Sequence, residues 1–163
     1  FTGNSSGKSA ADLSALSFSG ILIGKYIVIV AGDTGDVKSS MKEGLERAGE
    51  YLVDSLLIPN IHEQLIPAIS GANAIDHPEA VGVLEFYSIA SAILAADTAA
   101  KAANIRLIEV RIGYAIGGKG FVTLTGDVGA VRSAVAAGIA GRELYVDSVV
   151  IPRPDPKVIE SLL

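Results

Sequence analysis

The sequence has no cysteine and no tryptophan, and only 19% of its 163 residues are charged. Without cysteine there is no disulfide scaffold, no thiolate metal site and no cysteine nucleophile. A globular chain usually carries about 25% charged residues, so this surface is poor in charge. The 18 acidic and 13 basic residues give a formal charge of −5. This balance argues against a nucleic-acid partner, which would need a basic face.

A run of residues long enough to span a membrane is also missing. A spanning helix needs about 20 mainly apolar residues, whereas the most apolar stretch, 15–32, is interrupted by Lys25 and by two glycines. Half of the residues are nevertheless hydrophobic, and the mean hydropathy is +0.46. Such a chain is expected to hide apolar surface against partners, so the composition favours a cytosolic subunit of an oligomer.

The chain contains an internal repeat, which is its strongest signal. GKYIVIVAGDTGDV at 24–37 aligns with GKGFVTLTGDVGAV at 118–131, and VDSLLIP at 53–59 aligns with VDSVVIP at 146–152. The offsets, 94 and 93 residues, are nearly the same. We therefore predict two tandem copies of one domain, at 1–72 and 80–163, joined by a linker at 73–79.

The second copy predicts the order βαββαβ with a trailing helix, the split pattern of ferredoxin-like α+β sandwiches. Ser88 and Asp127 precede apolar helical patterns and are expected to cap the two longer helices. Strands are expected at 80–86, 105–115, 120–125 and 144–151, and helices at 88–103, 127–141 and 156–163.

The first copy shows only the later part of this pattern. Strands are expected near 13–19, 25–31 and 51–58, and helices at 36–49 and 62–69. Two full copies would need twice 94, or 188 residues, which is 25 more than the 163 present. The part without a counterpart is 80–104, the opening strand and most of the first helix. We expect the native protein to carry this segment, because that strand lies inside a ferredoxin-like sheet.

A phosphate-binding loop is the first alternative that the residues suggest. TGNSSGKS at 2–9 resembles such a loop, but its first glycine is one position late and no strand precedes it. Asp33 could act as the acidic residue of a nucleotide site. The repeat, however, reproduces it as Asp127, where no such loop exists. We therefore expect both aspartates to cap helices.

The residues predict neither a catalytic site nor a metal site. The only histidines, His62 and His77, have no partner at a spacing typical of metal ligands. His62 begins a short helix, where a solvated cap is expected, and His77 lies in the linker. Nothing in the sequence pattern places a nucleophile beside either histidine.

Several blocks of the second copy, taken together, resemble the shell-protein domain of bacterial microcompartments. These blocks are AVGVLE at 80–85, ADTAAKAAN at 96–104, GDVGAV at 126–131 and VIPRP at 150–154. With two copies, the chain is similar to the tandem, trimer-forming members, in particular those of propanediol-utilisation compartments. The resemblance implies a homotrimer of hexagonal outline in the bacterial cytoplasm, which tiles with other shell proteins around metabolic enzymes.

The resemblance also implies residues at the edges between tiles. Lys101 matches the edge lysine of the family, and Arg153 matches the arginine that follows the Ile-Pro pair at the edge. In the first copy, Lys8 lies near the lysine position, but Asn60 replaces the arginine. Only half of the edges are therefore expected to carry the full pair.

The turn between the second and third strands lines a central pore in this family. It corresponds to Leu22, Ile23 and Gly24 in the first copy and to Ile116, Gly117 and Gly118 in the second. These residues predict a narrow, apolar pore. Related proteins can hold an iron–sulfur cluster on a pore cysteine, at about the position of Leu22. Because this sequence has no cysteine, we expect no thiolate-ligated cluster and no other cofactor.

The expected function is that of a structural, non-enzymatic shell subunit with a central pore for small metabolites. The alternative is a small-molecule-binding regulatory protein or an enzyme, since a ferredoxin-like fold does not by itself determine function. The type of microcompartment and the molecule that crosses the pore stay open at this point.

Overall fold

The computed structural model describes residues 26–71, 79–112, 118–155 and 157–158. The described residues divide into two compact units, one holding 26–53 and the other beginning at Asp54. In chain order the elements are α1 (Thr34–Ala48), a 3₁₀ turn (Gly49–Tyr51), α2 (Leu65–Ile69), β1 (Ala80–Phe86), α3 (Ile89–Ala102), β2 (Arg106–Ile112), β3 (Gly120–Gly126), α4 (Val128–Ile139) and β4 (Tyr145–Pro152). None of the described helices is long and apolar enough to cross a membrane.

The second copy forms the predicted βαββαβ arrangement. Its four strands make one sheet in the order β2-β3-β1-β4, and every neighbouring pair is antiparallel. Both predicted caps are confirmed: Ser88 Oγ accepts the N–H of Ser91 at 3.2 Å, and Asp127 Oδ1 accepts that of Ala130 at 2.9 Å. The helix predicted at 156–163 lies mostly outside the described residues.

The core lies between this sheet and its two covering helices. Alanines at four buried positions of α3 (92, 95, 96 and 99) and apolar residues of α4 pack over the large side chains of the strands, which include Leu84, Phe86 and Leu124. The alanines let α3 lie close to the sheet. A Cβ at Gly120 would lie 2.4 Å from Ala92 Cβ, so only glycine fits at this start of β3.

The first copy differs from the prediction at its strands. Residues 26–31 contain a single bridge residue, Ile29, and 51–58 contain no strand. These two segments are the counterparts of β3 and β4, both of which pair with β1 in the second copy. A strand forms only with a hydrogen-bonded neighbour. Within the described residues neither segment forms a strand, so the two predictions were wrong.

The helices of the first copy form at the expected places, with one correction. Helix α1 covers Thr34–Ala48 where a helix was predicted at 36–49. Helix α2 covers Leu65–Ile69 and is shorter than the helix predicted at 62–69. Asp33 was expected to act as a cap, but within the described residues its side chain accepts no capping hydrogen bond. The strand predicted at 13–19 lies outside the described residues.

Helix α2 belongs to the core of the second copy. Leu65 and Ala68 are fully buried in the same hydrophobic cluster as the strands of the sheet. The end of the first copy is therefore packed against the second copy within one compact unit. The domain boundaries derived from the repeat stay a prediction.

Candidate functional site

Among the described candidates, Lys101 and Arg153 lie at one end of the sheet and Gly118 lies near the other end. At one end, Ala80 pairs with Gly126 and with Pro152, which directly precedes Arg153. Helix α3, which carries Lys101, also ends here, since a Cβ at Gly126 would lie 3.2 Å from the Asn104 carbonyl oxygen. We call this the edge end.

The other end, which we call the pore end, is where Phe86 pairs with Gly120, two residues after Gly118. A strand of seven residues is about 20 Å long, so the two ends are well separated. Of the residues predicted at these sites, Leu22, Ile23, Gly24, Ile116, Gly117 and Lys8 lie outside the described residues.

Arg153 occupies a backbone conformation that the repeat reproduces. Its φ is 47°, in the left-handed region, and its N–H donates to the Glu79 carbonyl at 2.8 Å. Asn60, its counterpart in the first copy, has a φ of 52°. Each copy therefore presents an exposed polar residue from the same turn after Ile-Pro. The side chains differ, because one is a guanidinium and the other a carboxamide.

Corresponding hydrogen bonds follow this turn in both copies, in segments that we call the tails (58–65 and 151–158). In the first tail, the His62 carbonyl accepts the N–H of Leu65 at 2.9 Å, and His62 Nδ1 accepts that of Gln64 at 3.3 Å. His62 was expected to be a solvated cap, but the N-cap of α2 is Gln64, without a side-chain cap hydrogen bond, and His62 is half-buried in the turn before it.

In the second tail, Asp155 takes the place of His62. Its carbonyl accepts the N–H of Val158 at 2.8 Å, and its Oδ1 accepts that of Lys157 at 2.9 Å. The two tails thus share one local structure, although histidine and aspartate supply the acceptor.

Gln64 fastens the first tail to the second copy. Its Oε1 accepts the N–H of Leu107 at 2.8 Å, and its Nε2 donates to the Ile105 carbonyl at 3.2 Å. The side-chain amide thus pairs with the backbone at the start of β2, which is an edge strand of the sheet. Pairing of this kind satisfies backbone groups that an edge strand leaves open.

Asp97 links the first tail to Lys101. Its side chain is buried, and residue exposure is only 3%. Oδ1 accepts the backbone N–H of His62 at 2.7 Å, and Oδ2 accepts Lys101 Nζ at 2.6 Å. A buried carboxylate needs such partners, because desolvation of its charge is costly. The Lys101 side chain remains 42% exposed, so Lys101 is a paired cation at the surface.

The sequence analysis missed the roles of Asp97 and Gln64. A signal for Asp97 exists, since it is the one acidic residue of an alanine-rich helix and stands four residues before Lys101, the spacing of a helical ion pair. Gln64 has no such signal, because its partners are backbone groups more than 40 residues away.

At the pore end, Gly118 is followed by a paired cation. Gly118 has a φ of 88°, which favours glycine in this turn. Lys119 Nζ lies 2.7 Å from Glu85 Oε1 and 5.2 Å from the centre of the Tyr87 ring. The hydrogen bond to Glu85 raises the pKa of Lys119 above its usual value, against a smaller opposing effect of desolvation. Lys119 therefore stays cationic but is largely neutralised by its partner.

The residues do not fit a thiolate-ligated iron–sulfur cluster, since the sequence has no cysteine. Among the residues that the structure describes, no group of three or more histidine, cysteine, aspartate or glutamate side chains is placed to hold a metal ion.

Comparisons with known proteins agree on one family. The family model described as the BMC domain matches residues 9–61 and 80–154. The chain is 43% identical over 148 residues to the bacterial microcompartment shell protein PduT of Citrobacter freundii, covering 89% of this chain and 80% of that protein. It is 44% identical over 89 residues to the shell protein PduA of Salmonella typhimurium, covering 52% of this chain and 90% of PduA.

A solved structure shows the same similarity in three dimensions. The crystal structure of a microcompartment protein from Desulfitobacterium hafniense DCB superposes with a TM-score of 0.84 at 45% sequence identity. The match covers 90% of this chain and 83% of the other.

Proposed function

The chain belongs to the BMC-domain family, and from this premise we propose that three copies close a ring of hexagonal outline that tiles into a shell. Its role as a structural shell subunit of a bacterial microcompartment follows from the family and from relatives named as shell proteins. The trimer, the central pore and the contacts at the tile edges are what we propose beyond this role.

The repeated tails carry this proposal. The first tail is seated on the second copy of its own chain, with Leu65 buried and Gln64 bonded to β2. The second tail has the same turn and, in the proposal, binds the first copy of the next chain. Contacts that repeat from head to tail form a closed ring when the rotation closes. Six copies in three chains then give the hexagonal outline.

The opposite ends of the sheet support the placement of pore and edges. If the pore end faces the ring axis, the edge end points outward and presents Lys101 and Arg153 to neighbouring tiles. The proposed partners at these edges are other shell proteins, within the shell in the bacterial cytoplasm. Small metabolites are the proposed traffic of the pore, and we propose neither catalysis nor a bound cofactor. No observation on the described residues favours the alternative of a regulatory protein or an enzyme.

The proposal is tested by particle mass and by sheet formation, using a matched exchange between the copies. Light scattering on the eluted protein should give about 50 kDa, three times the chain mass of 16.7 kDa, and electron microscopy should show ordered sheets. Arg153→Asn should leave the trimer intact and raise the protein concentration needed for sheets on the order of tenfold. Asparagine tolerates the left-handed backbone, as Asn60 shows, so the turn itself should survive.

The reverse exchange is the control. Asn60→Arg adds the missing guanidinium to the first copy and should not weaken sheets. A stable monomer would contradict the trimer. Sheets that form equally well with Arg153→Asn would contradict the edge role of Arg153.

A further inference from the structure

The carboxylate of Asp97 serves two parts of the molecule at once. One oxygen holds the backbone of the first tail at His62, and the other holds the ammonium of Lys101. The first contact belongs to the packing between the two copies, whereas Lys101 lies at the edge end. A single buried side chain therefore joins the internal interface to the outer edge.

We propose that Asp97 is a positioning residue, which holds Lys101 in place for contact between tiles and is itself held by the first tail. This inference rests on the edge role of Lys101 proposed above. A lysine side chain loses rotamer entropy when it is immobilised. If Asp97 already restricts the Lys101 side chain before two tiles bind, less of this entropy is lost when they bind.

The pair differs from the other helical ion pairs of the chain. In α1, Lys42 and Glu46 are 4.0 Å apart, and their side chains are 79% and 63% exposed. Such exposed ion pairs contribute little to the stability of the fold. Asp97 is buried, so water does not solvate its carboxylate, and the hydrogen bond from His62 N–H fixes the orientation of that carboxylate. The ammonium of Lys101 is therefore held in a defined place, which a solvated pair would not achieve.

Two substitutions separate the arms of Asp97. Asp97→Asn keeps a carbonyl oxygen for His62 N–H but presents an amide NH₂, which cannot accept from Lys101. Asp97→Ala removes both contacts. Asp147→Asn is the control for charge, because Asp147 is exposed and bonds only locally, to the N–H of Ser148 at 2.8 Å.

Three measurements on the assembled trimer give the test. For Asp97→Asn, the protein concentration needed for sheets should rise on the order of tenfold, while hydrogen exchange of the peptide 60–66 stays unchanged. Acylation of Lys101, measured by mass spectrometry relative to Lys42, should become faster because the amine is released. Asp97→Ala should show the same changes together with faster exchange in 60–66. Asp147→Asn should resemble the wild type.

A double-mutant cycle with Lys101→Met distinguishes positioning from a merely structural role. If Asp97 acts through Lys101, then Asp97→Asn should add less than about twofold in the Lys101→Met background. Equal effects in both backgrounds, or unchanged Lys101 acylation in Asp97→Asn, would overturn the inference. If wild-type trimers form sheets that Arg153→Asn weakens, but Asp97→Asn does not, the inference alone fails. If wild-type protein forms no sheets, both the edge proposal and this inference fail.

Discussion

Helices α1 and α4 are counterparts in the sequence repeat, yet among the described residues only α4 contributes to a core. Val131 of α4 and Val37 of α1 are counterparts in the repeat. Val131 and Ala134 are fully buried, and Val135 and Gly138 are also buried. Across the described part of the chain, none of the residues of α1 is buried. Equivalent apolar positions therefore produce a helix in both copies but burial in only one.

The copies also differ in their strands. β1 is flanked by β3 and β4 and supplies hydrogen bonds to both. Within the described residues, the segments of the first copy that correspond to β3 and β4, 26–31 and 51–58, are not strands. A helix closes its hydrogen bonds within its own segment, whereas strands and a packed core need a partner.

The largest expected effect is a difference in core stability between the two helices. Val131→Ala should lower the free energy of unfolding by about 2 kcal/mol or more, because two buried methyl groups are lost and a cavity is left. Val37→Ala should cost less than about 1 kcal/mol, since Val37 is only half-buried. Urea unfolding followed by circular dichroism measures both. Equal losses at the two positions would show that α1 is packed as tightly as α4.

The next largest effect concerns the tails. Gln64→Ala should cost about 1–3 kcal/mol, because it removes the side-chain hydrogen bonds to the Leu107 N–H and the Ile105 carbonyl at the start of β2. Its repeat counterpart Lys157 is exposed, so Lys157→Ala should change stability by less than about 0.5 kcal/mol in the isolated chain. Hydrogen exchange at Leu107 gives an independent measurement. No acceleration there with Gln64→Ala would contradict the role of the amide.

The smallest effect concerns the helix caps. Asp127→Ala should destabilise by about 1 kcal/mol, because the N–H of Ala130 loses its acceptor. Asp33→Ala should have a smaller effect, since the Asp33 side chain makes no such bond within the described residues. Thermal unfolding of the two variants, compared with the wild type, tests the difference. An equal shift in Tm would mean that Asp33 also acts as a cap.

Much of the second copy could be predicted from its sequence, because its signals are local. The alternation of apolar residues, the capping residues Ser88 and Asp127, and the glycine turn at Gly118 lie within or next to the elements that they define. The same reasoning failed for strands of the first copy, because a strand pattern indicates the ability to pair and says nothing of the partner.

The candidate site divides in the same way. The edge roles of Lys101 and Arg153 came from the family resemblance and stay predictions, whereas the partners of Lys101 and of the first tail were not predicted at all. Asp97 lies 35 residues from His62 along the chain, and Gln64 lies 43 residues from Leu107. Contacts of this range depend on how the first tail packs against α3 and β2, and they leave no periodic pattern in the sequence.

By itself, the sequence determined the repeat, the βαββαβ order of the second copy and the family to which the chain belongs, because short-range patterns and motifs specify these features. Only the tertiary structure decided that the first tail is seated on the second copy and that Asp97 joins this tail to Lys101. It also decided that Lys101 and Arg153, the described candidates for tile edges, lie at the opposite end of the sheet from Gly118. The physical reason is that burial and long-range hydrogen bonds depend on which segments meet after folding.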